Sequence, residues 1–498
     1  MRLTVITLLA FLGCSLAQEA RRDKRGAAFK KDAICETIEK GLSPASKVFY
    51  PGLNPVQYNK GIAHWAASSS QRAKCVVEPG STVDVSETLK VLASTRTPFA
   101  VKGGGHASNP GFSSTTGVQI TMSRFGEVTY NETDKTAVIG AGLIWDDVYA
   151  ALAPHGATAV GGRVTGVGVA GFILGGGYSW KTNQYGLTID TVVAFELVKP
   201  DGTILHVTQG DQPDLFWGLK GGFNNFGIVT RFTLRTVPQE TQVWGGLITV
   251  TAPFIDQISA ATADFSANVK DPKASIITTY NFLLGQPGIS QLLFYDGPTP
   301  PPGIFDKFMD VPFFTRDVKT RDLLSLVKSS PANATANQRA IFNTVSVLGY
   351  SRDLLDAVYN ETKFWGARLS NIFTLDSGTF ISYDVEPFLP DILSHNDSSS
   401  AFPPTRTTRY CPFNIYYAWL FRENDDTFYD AIKQSAARLY SLAIAEGQTI
   451  DEASVYGNYA IFDTPPERIY GDNLPMLQAL KKLHDPDNIM GLAGGFKF

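Results

Sequence analysis

The sequence predicts an α+β chain in two parts, and three observations lead to that reading. A strand, helix, strand signal runs into the loop "VKGGGHASNPGF" at residues 101–112. A second glycine cluster, "GGRVTGVGVAGFILGGG", fills 161–177 with eight glycines in seventeen positions. Beyond about residue 240 such clusters thin out, and longer helical and alternating stretches take over, broken at "DGPTPPPG" and "AFPPTRTT". At 498 residues the chain exceeds one ordinary core, so two domains are expected.

The composition is that of a globular protein, 44% hydrophobic and 18% charged. A formal net charge of −4 provides no basic footprint, so nucleic acid is not an expected partner. The opening "MRLTVITLLAFLGCSLAQEA" joins Arg2, a short apolar run and the small-residue pattern Ser15-Leu16-Ala17. It reads as a signal peptide over residues 1–17 of a secreted protein. The run is too short for a comfortable membrane span, and no membrane partner is expected. The following "RRDKRG" reads as an exposed basic tail, with propeptide cleavage after Lys24-Arg25 as the alternative. Glycosylation sequons at Asn131, Asn333, Asn360 and Asn396 agree with secretion. Signal removal leaves Cys35, Cys75 and Cys411. The expected disulfide is Cys35–Cys75, stapling an N-terminal arm to the first strand with Cys411 buried and free, although sequence leaves other pairings open.

Along the chain, "CVVEP" reads as a strand, "TVDVSETLKVLAST" has helical apolar spacing, and "TPFAV" is a second strand. The loop of Gly103, Gly104, Gly105 and His106 leaves the carboxyl end of that strand, where α/β units bind ligands. "VQITM", "EVTY" and "TAVIGAG" read as short strands before a helix at "WDDVYAALAPHG", and "GIVTRFTLRTV" closes the first part. Near the end, "VYGNYAIFD" reads as strand-like, and "LPMLQALKKLH" as a helix stopped by Asp485-Pro486.

Gly166, Gly168 and Gly171 satisfy the dinucleotide pattern GxGxxG, and Asp190 lies at a plausible distance for a ribose contact. That fingerprint needs a helix whose N-terminus holds a pyrophosphate. Gly175, Gly176 and Gly177 would break such a helix in its second turn, each costing about 1 kcal/mol relative to alanine. A nicotinamide enzyme is therefore rejected, and the expectation is an extended backbone with exposed N–H groups against a flat or anionic ligand. No CxxC, HxxxH, GxSxG or Walker lysine is present, so no metal site is expected. Of six histidines, His106 alone sits in a glycine run.

Four ordered segments then carry a resemblance: "TPFAVKGGGHASNPGFSS", "GRVTGVGVAGFILGGGYSWKTNQYGLTIDTVVAFELVKPDGTI", "PDLFWGLKGGFNNFGIVT", and the tail "YGNY" with "YGDNLPMLQALKKLHDPDNI". Together they resemble the berberine bridge enzyme-like branch of the vanillyl-alcohol oxidase superfamily. The resemblance implies a PCMH-type FAD-binding domain of two α/β subdomains over 35–240. It also implies a substrate-binding domain over 241–450, an antiparallel sheet covered by helices, with 451–498 returning to the FAD-binding domain. By the same resemblance FAD is carried covalently through His106. The remaining cofactor-binding candidates are Lys102, Gly103, Gly104, Gly105, Ala107, Gly111, Gly166, Val167, Gly168, Gly171, Gly175, Gly176, Gly177, Gly227, Ile228, Val229 and Asn458. Val164 stands where many relatives have a second attachment through cysteine, which implies a single histidyl link and no cysteinyl link. Val167 falls where relatives control oxygen access and resembles the oxidase type. Tyr456 and Tyr459 resemble the family's catalytic pair, with Tyr459 the expected base. That role requires its pKa to be lowered from about 10. In a strand the two tyrosines would face opposite sides. In "CPFNIYYAWLF", Asn414 and Tyr416 alternate with Tyr417 and Trp419, and one set is expected to line the substrate pocket.

The resulting expectation is a secreted, monomeric FAD-linked oxidase that passes hydride from a small alcohol, phenolic or amine-type substrate to flavin, with molecular oxygen as acceptor. The alternatives are a dehydrogenase using another acceptor and a secreted binding protein with a vestigial flavin site.

Overall fold

In the computed structural model, residues 30–239, 241–370, 376–396 and 398–498 are described. The signal peptide over 1–17 and the tail at Lys24-Arg25 lie outside them. Asp32 caps the first described helix, Ala33–Gly41, by accepting hydrogen bonds from the backbone N–H groups of Ile34 and Cys35. That helix delivers Cys35 to Cys75, and the two form the expected disulfide; Cys411 is free and buried.

The first sheet contains β1 (Lys47–Phe49), β2 (Cys75–Glu78), β3 (Phe99–Lys102) and β4 (Val118–Thr121) in the order β1-β2-β4-β3. Its β2-β4-β3 core is parallel, with the helix Thr82–Thr95 as the crossover that parallel strands require. Ser81 caps that helix by accepting from the Asp84 N–H, and Arg96 ends it in the left-handed region at φ 51°.

The second sheet is antiparallel. It joins β5 (Val128–Asn131) and β6 (Thr136–Gly140) to later strands, while β7 (Ala157–Thr158) forms a separate two-stranded ladder. With β8 (Val192–Val198), β9 (Ile204–Thr208) and β10 (Ile228–Arg235) the order is β5-β6-β10-β8-β9, and β11 (Val237–Pro238) pairs with β7.

The remaining strands form one antiparallel sheet. They are β12 (Val243–Thr251), β13 (Ala274–Leu283), β14 (Gln286–Tyr295), β15 (Thr315–Arg321), β16 (Arg339–Val347), β17 (Gly378–Val385) and β18 (Cys411–Trp419), in the order β15-β12-β14-β13-β17-β18-β16. Strand periodicity of two divides its faces. On one face Tyr280 meets Ser259 of the helix Ile255–Asn268, Tyr383 and Tyr417 share Ser435 of the helix Asp425–Ala445, and Trp419 stacks on Phe428. The opposite face carries Thr279, Asn281, Asp384, Asn414 and Tyr416 toward a cavity.

After the helix Leu474–His484, the Asp485 carboxylate accepts from the N–H groups of Ile489 and Met490 and turns the chain. The last residues run back beside the first part of the molecule. Ala493 bridges to Phe99, Asn224 donates to the Gly494 carbonyl, and Asn225 donates to the Phe496 carbonyl.

Two local expectations are overturned. The segment Val169–Leu174 is a short helix, not extended backbone, and it stops at Gly175 as the glycine run requires. The segment at 456–459 is a turn, not a strand, because the N–H groups of Tyr459 and Ala460 both reach the Tyr456 carbonyl at 3.0 Å. Gly457 and Asn458 occupy its centre, a pair suited to turns. Among the described residues, no helix is long and apolar enough to cross a membrane.

Candidate active site

A cavity of about 730 Å³ lies between the glycine-rich loops and the seven-stranded sheet, within the size range of ligand pockets. One end is walled by Asn224, Gly494, Gly495 and Phe496; the other reaches the sheet at Leu247, Ile277, Thr279 and Leu292. Gly103, Gly104, Gly105, His106 and Ala107 form one side, with Val164, Val167, Gly168, Gly171, Gly227, Ile228, Val229 and Asn458 around them.

The glycines do more than clear space for a ligand. A Cβ on Gly104 would lie 2.5 Å from the Gly168 Cα, and one on Gly103 would lie 2.8 Å from the Ala141 carbonyl oxygen, so the two glycine runs touch backbone to backbone. Gly105 takes φ +75°, a region that side chains avoid. At Gly171, by contrast, a Cβ would have no atom within 4 Å, and this residue does leave cavity space open.

His106 is half-buried as a residue, but its Nε2 is buried with no hydrogen-bond partner, and burial lowers its pKa to about 4. Its ring is therefore a neutral imidazole at physiological pH. It stacks on Trp65 with centroids 4.5 Å apart and planes 14° apart.

The turn brings Tyr456 and Tyr459 together, with ring centroids 4.9 Å apart. The Tyr456 hydroxyl accepts from the Gly177 N–H at 3.1 Å and from Asn458 Nδ2 at 2.8 Å, which ties the tail to the second glycine run. Burial raises its pKa to about 12. The Tyr459 hydroxyl accepts from Arg163 Nη2 at 3.0 Å and donates to Glu386 Oε1 at 3.1 Å. Arg163 Nη2 also meets Glu386 Oε2 at 2.5 Å, with both side chains buried. Burial and the Glu386 charge hold Tyr459 well above the usual phenol range, against the opposing pull of Arg163. The expected lowering is thus overturned. Burial likewise raises Glu386 above the ordinary carboxylate range despite Arg163. Two residues earlier on the same face, Asp384 accepts from Asn414 Nδ2 at 3.0 Å, and burial raises its pKa to about 7.

The other sequence candidates divide. Asn414 and Tyr416 line the cavity, whereas Tyr417 and Trp419 face the helices, which corrects their candidacy for the pocket. Lys102 does not line the cavity: its Nζ donates to the carbonyls of Lys60 and Ala63 at the end of the helix Pro55–Ile62. Gly111, Gly166, Gly175, Gly176 and Gly177 also stand behind the wall, Gly175 under Asn458 and Gly176 under Phe402 and Tyr456. Asp190 pairs with Arg406 at 2.8 Å and also accepts from the Leu187 N–H. Of the sequon residues, Asn131, Asn333 and Asn360 are exposed and Asn396 is half-buried. Sequence reasoning missed Arg163, Glu386, Asp384, Trp65 and Phe342. The one available signal was the alternation of Ser382, Asp384 and Glu386 at the end of β17.

Residues 73–208 match the model of an FAD binding domain family. A Fusarium proliferatum protein named FAD-dependent monooxygenase is 31% identical over 449 residues, covering 86% of this chain and 85% of the relative. The chain belongs to the family of these FAD-dependent oxidoreductases, and it has the fold of a Physcomitrella patens BBE-like protein, with TM-score 0.72 at 20% identity over 92% of this chain and 97% of that one. An Arthroderma benhamiae protein named uncharacterized FAD-linked oxidoreductase is 39% identical over 323 residues, 64% of this chain and 62% of its own length. Among solved structures, glucooligosaccharide oxidase from Acremonium strictum, described with 6-S-cysteinyl, 8α-N1-histidyl FAD, superposes with TM-score 0.73 at 17% identity over 92% of this chain and 98% of its own. Family and fold together make this chain an FAD-dependent enzyme. The cavity fits that cofactor: it is walled by glycine backbone and presents an imidazole whose Nε2 is buried and unpartnered. Among the described residues no cluster of His, Cys, Asp and Glu could hold a metal.

Proposed function

We propose that this protein is a secreted oxidase with FAD held by a single covalent bond to His106. The observation that carries the reading is the neutral His106 imidazole, its Nε2 unpartnered, in the wall of a cavity that Tyr459 also lines. The glucooligosaccharide oxidase's histidyl flavin supports the link. Val164 lines the cavity with a side chain that cannot form a cysteinyl bond. Residues 35–240 and 451–498 hold the cofactor in this reading, and 241–450 supply the sheet over the substrate.

When bound, FAD supplies a two-electron acceptor for hydride and a route from there to oxygen. The chain's own residues manage the proton. In this reading the Tyr459 oxygen takes the proton of a substrate hydroxyl, phenol or amine while its own proton passes to Glu386, to which it donates at 3.1 Å. The raised pKa of Glu386 makes it a better proton acceptor than an exposed carboxylate, and Arg163 stabilises the charge on both groups. Tyr456 has both hydroxyl contacts as an acceptor and serves to fix the turn. Val167 borders the cavity at the position that resembles oxygen-admitting relatives. Molecular oxygen is the acceptor, hydrogen peroxide the product, and a small molecule with an oxidisable C–H beside oxygen or nitrogen the substrate.

The test is to photoreduce the purified yellow protein without air and mix it with oxygenated buffer. Rapid return of the oxidised spectrum with one peroxide per flavin is expected. Slow reoxidation that quickens with a quinone would establish the dehydrogenase instead. A colourless protein would leave a binding role.

A further inference from the structure

We infer that Trp65 is the positioning residue that presents the His106 imidazole for attachment, an inference that rests on the histidyl link proposed above. His106 follows three glycines, so its own loop supplies no side-chain wall to fix the ring. Trp65 supplies one. The indole and imidazole stack at 4.5 Å and 14°, and the Trp65 N–H donates to the Gly105 carbonyl at 2.9 Å, tying its backbone to the residue just before His106. The Trp65 carbonyl accepts from the Asn337 N–H at 2.8 Å, and Phe342 of β16 stacks on the indole at 5.8 Å and 8° while its ring also lies 6.4 Å and 17° from the imidazole. Indole and imidazole are thus held by both parts of the molecule. Trp65 Nε1 and His106 Nε2 are both buried without a hydrogen-bond partner, and both residues line the cavity.

A nucleophile must be aligned as well as deprotonated, and a held ring turns random encounters into productive ones. Attachment replaces one C–H bond of the flavin 8α-methyl carbon with a C–N bond to the imidazole. Two protons leave, one from the methyl carbon and one from the imidazole N–H, and with the two electrons left on the ring system they convert molecular oxygen to hydrogen peroxide. Trp65 takes no part in that bookkeeping, since an indole N–H is neither a base nor an electron acceptor here. Its contribution is the orientation of the imidazole plane.

The experiment follows flavin that stays with acid-precipitated protein, sampled over time after FAD is added to full-length chain produced in a riboflavin-depleted host. His106→Ala is expected to give none. Trp65→Leu, which fills space without a π face, is expected to attach flavin about threefold to tenfold more slowly than wild type, and Trp65→Phe to recover to within about twofold. Attachment by Trp65→Leu at the wild-type rate would overturn the inference while leaving the histidyl link intact. Acid-stable flavin in His106→Ala would overturn the link itself. If Trp65→Leu fails to fold, Phe342→Leu removes the ring stacked on the indole. It is expected to slow attachment about twofold, and an unchanged rate there also overturns the inference.

Discussion

Removing the Glu386 carboxylate should destabilise the protein far more than removing the whole ion pair. Arg163 and Glu386 meet at 2.5 Å with side chains 6% and 2% exposed, so neither charge has water to fall back on. Glu386→Gln leaves the guanidinium with the neutral Tyr459 hydroxyl and a neutral amide as its polar neighbours. Breaking one side of a buried pair in this way costs about 3–5 kcal/mol. Replacing both members together, as Arg163→Met with Glu386→Leu, removes both desolvation costs and leaves chiefly the Tyr459 hydroxyl unsatisfied, about 1–3 kcal/mol. The assay is guanidinium unfolding of the flavin-loaded protein, comparing midpoints at constant slope. Each single variant should fall well below wild type and the double variant should recover part of the loss. If Glu386→Gln lies within about 1 kcal/mol of wild type, the pair is not desolvated and the proton relay through it loses its basis.

Three further outcomes are expected. Burial lowers His64 to about 4, so it is neutral in the fold but protonates near 6.5 once unfolded. The unfolded chain binds more protons in that window, so this stabilisation is complete above pH 6.5 and falls as pH drops to 4, by up to about 3 kcal/mol. An acid series of unfolding midpoints checks this, with a shallower slope in His64→Gln. Gly104→Ala would drive a Cβ to 2.5 Å from the Gly168 Cα; a loss of about 1–3 kcal/mol and a lower ratio of flavin to protein absorbance are expected, and a wild-type ratio and midpoint would contradict the backbone contact. Cys35→Ser with Cys75→Ser opens a loop spanning 40 residues, which the chain-entropy relation values at about 4 kcal/mol; an unchanged unfolding midpoint would show that the staple constrains nothing.

Local signals carried the legible part of the molecule. Apolar spacing over 82–95 and the glycine punctuation at 103–105 mark a strand, helix, strand and loop before any tertiary contact is known. Gly175 to Gly177 were enough to reject a long dinucleotide-binding helix, although they did not forbid the six-residue helix at Val169–Leu174. Tyr456 to Tyr459 misread as a strand because two aromatic residues outweighed the Gly457-Asn458 turn signal between them. The relay was not legible at all. Arg163 lies 223 residues from Glu386 and 296 from Tyr459, and no periodicity links positions that only tertiary folding brings together. The same holds for Trp65, an aromatic residue in no motif, whose partner is defined by stacking geometry. The pKa of Tyr459 was misjudged for a related reason: its burial and the Glu386 charge belong to the fold, not to the residue type.

The central claim is that His106 holds the flavin, and the most direct measurement is the absorption spectrum of the purified protein before and after acid precipitation and washing. Twin flavin bands that remain with the wild-type pellet and are missing from the His106→Ala pellet are the expected result. Colour released into the supernatant from wild type, or retained in the His106→Ala pellet, would contradict it.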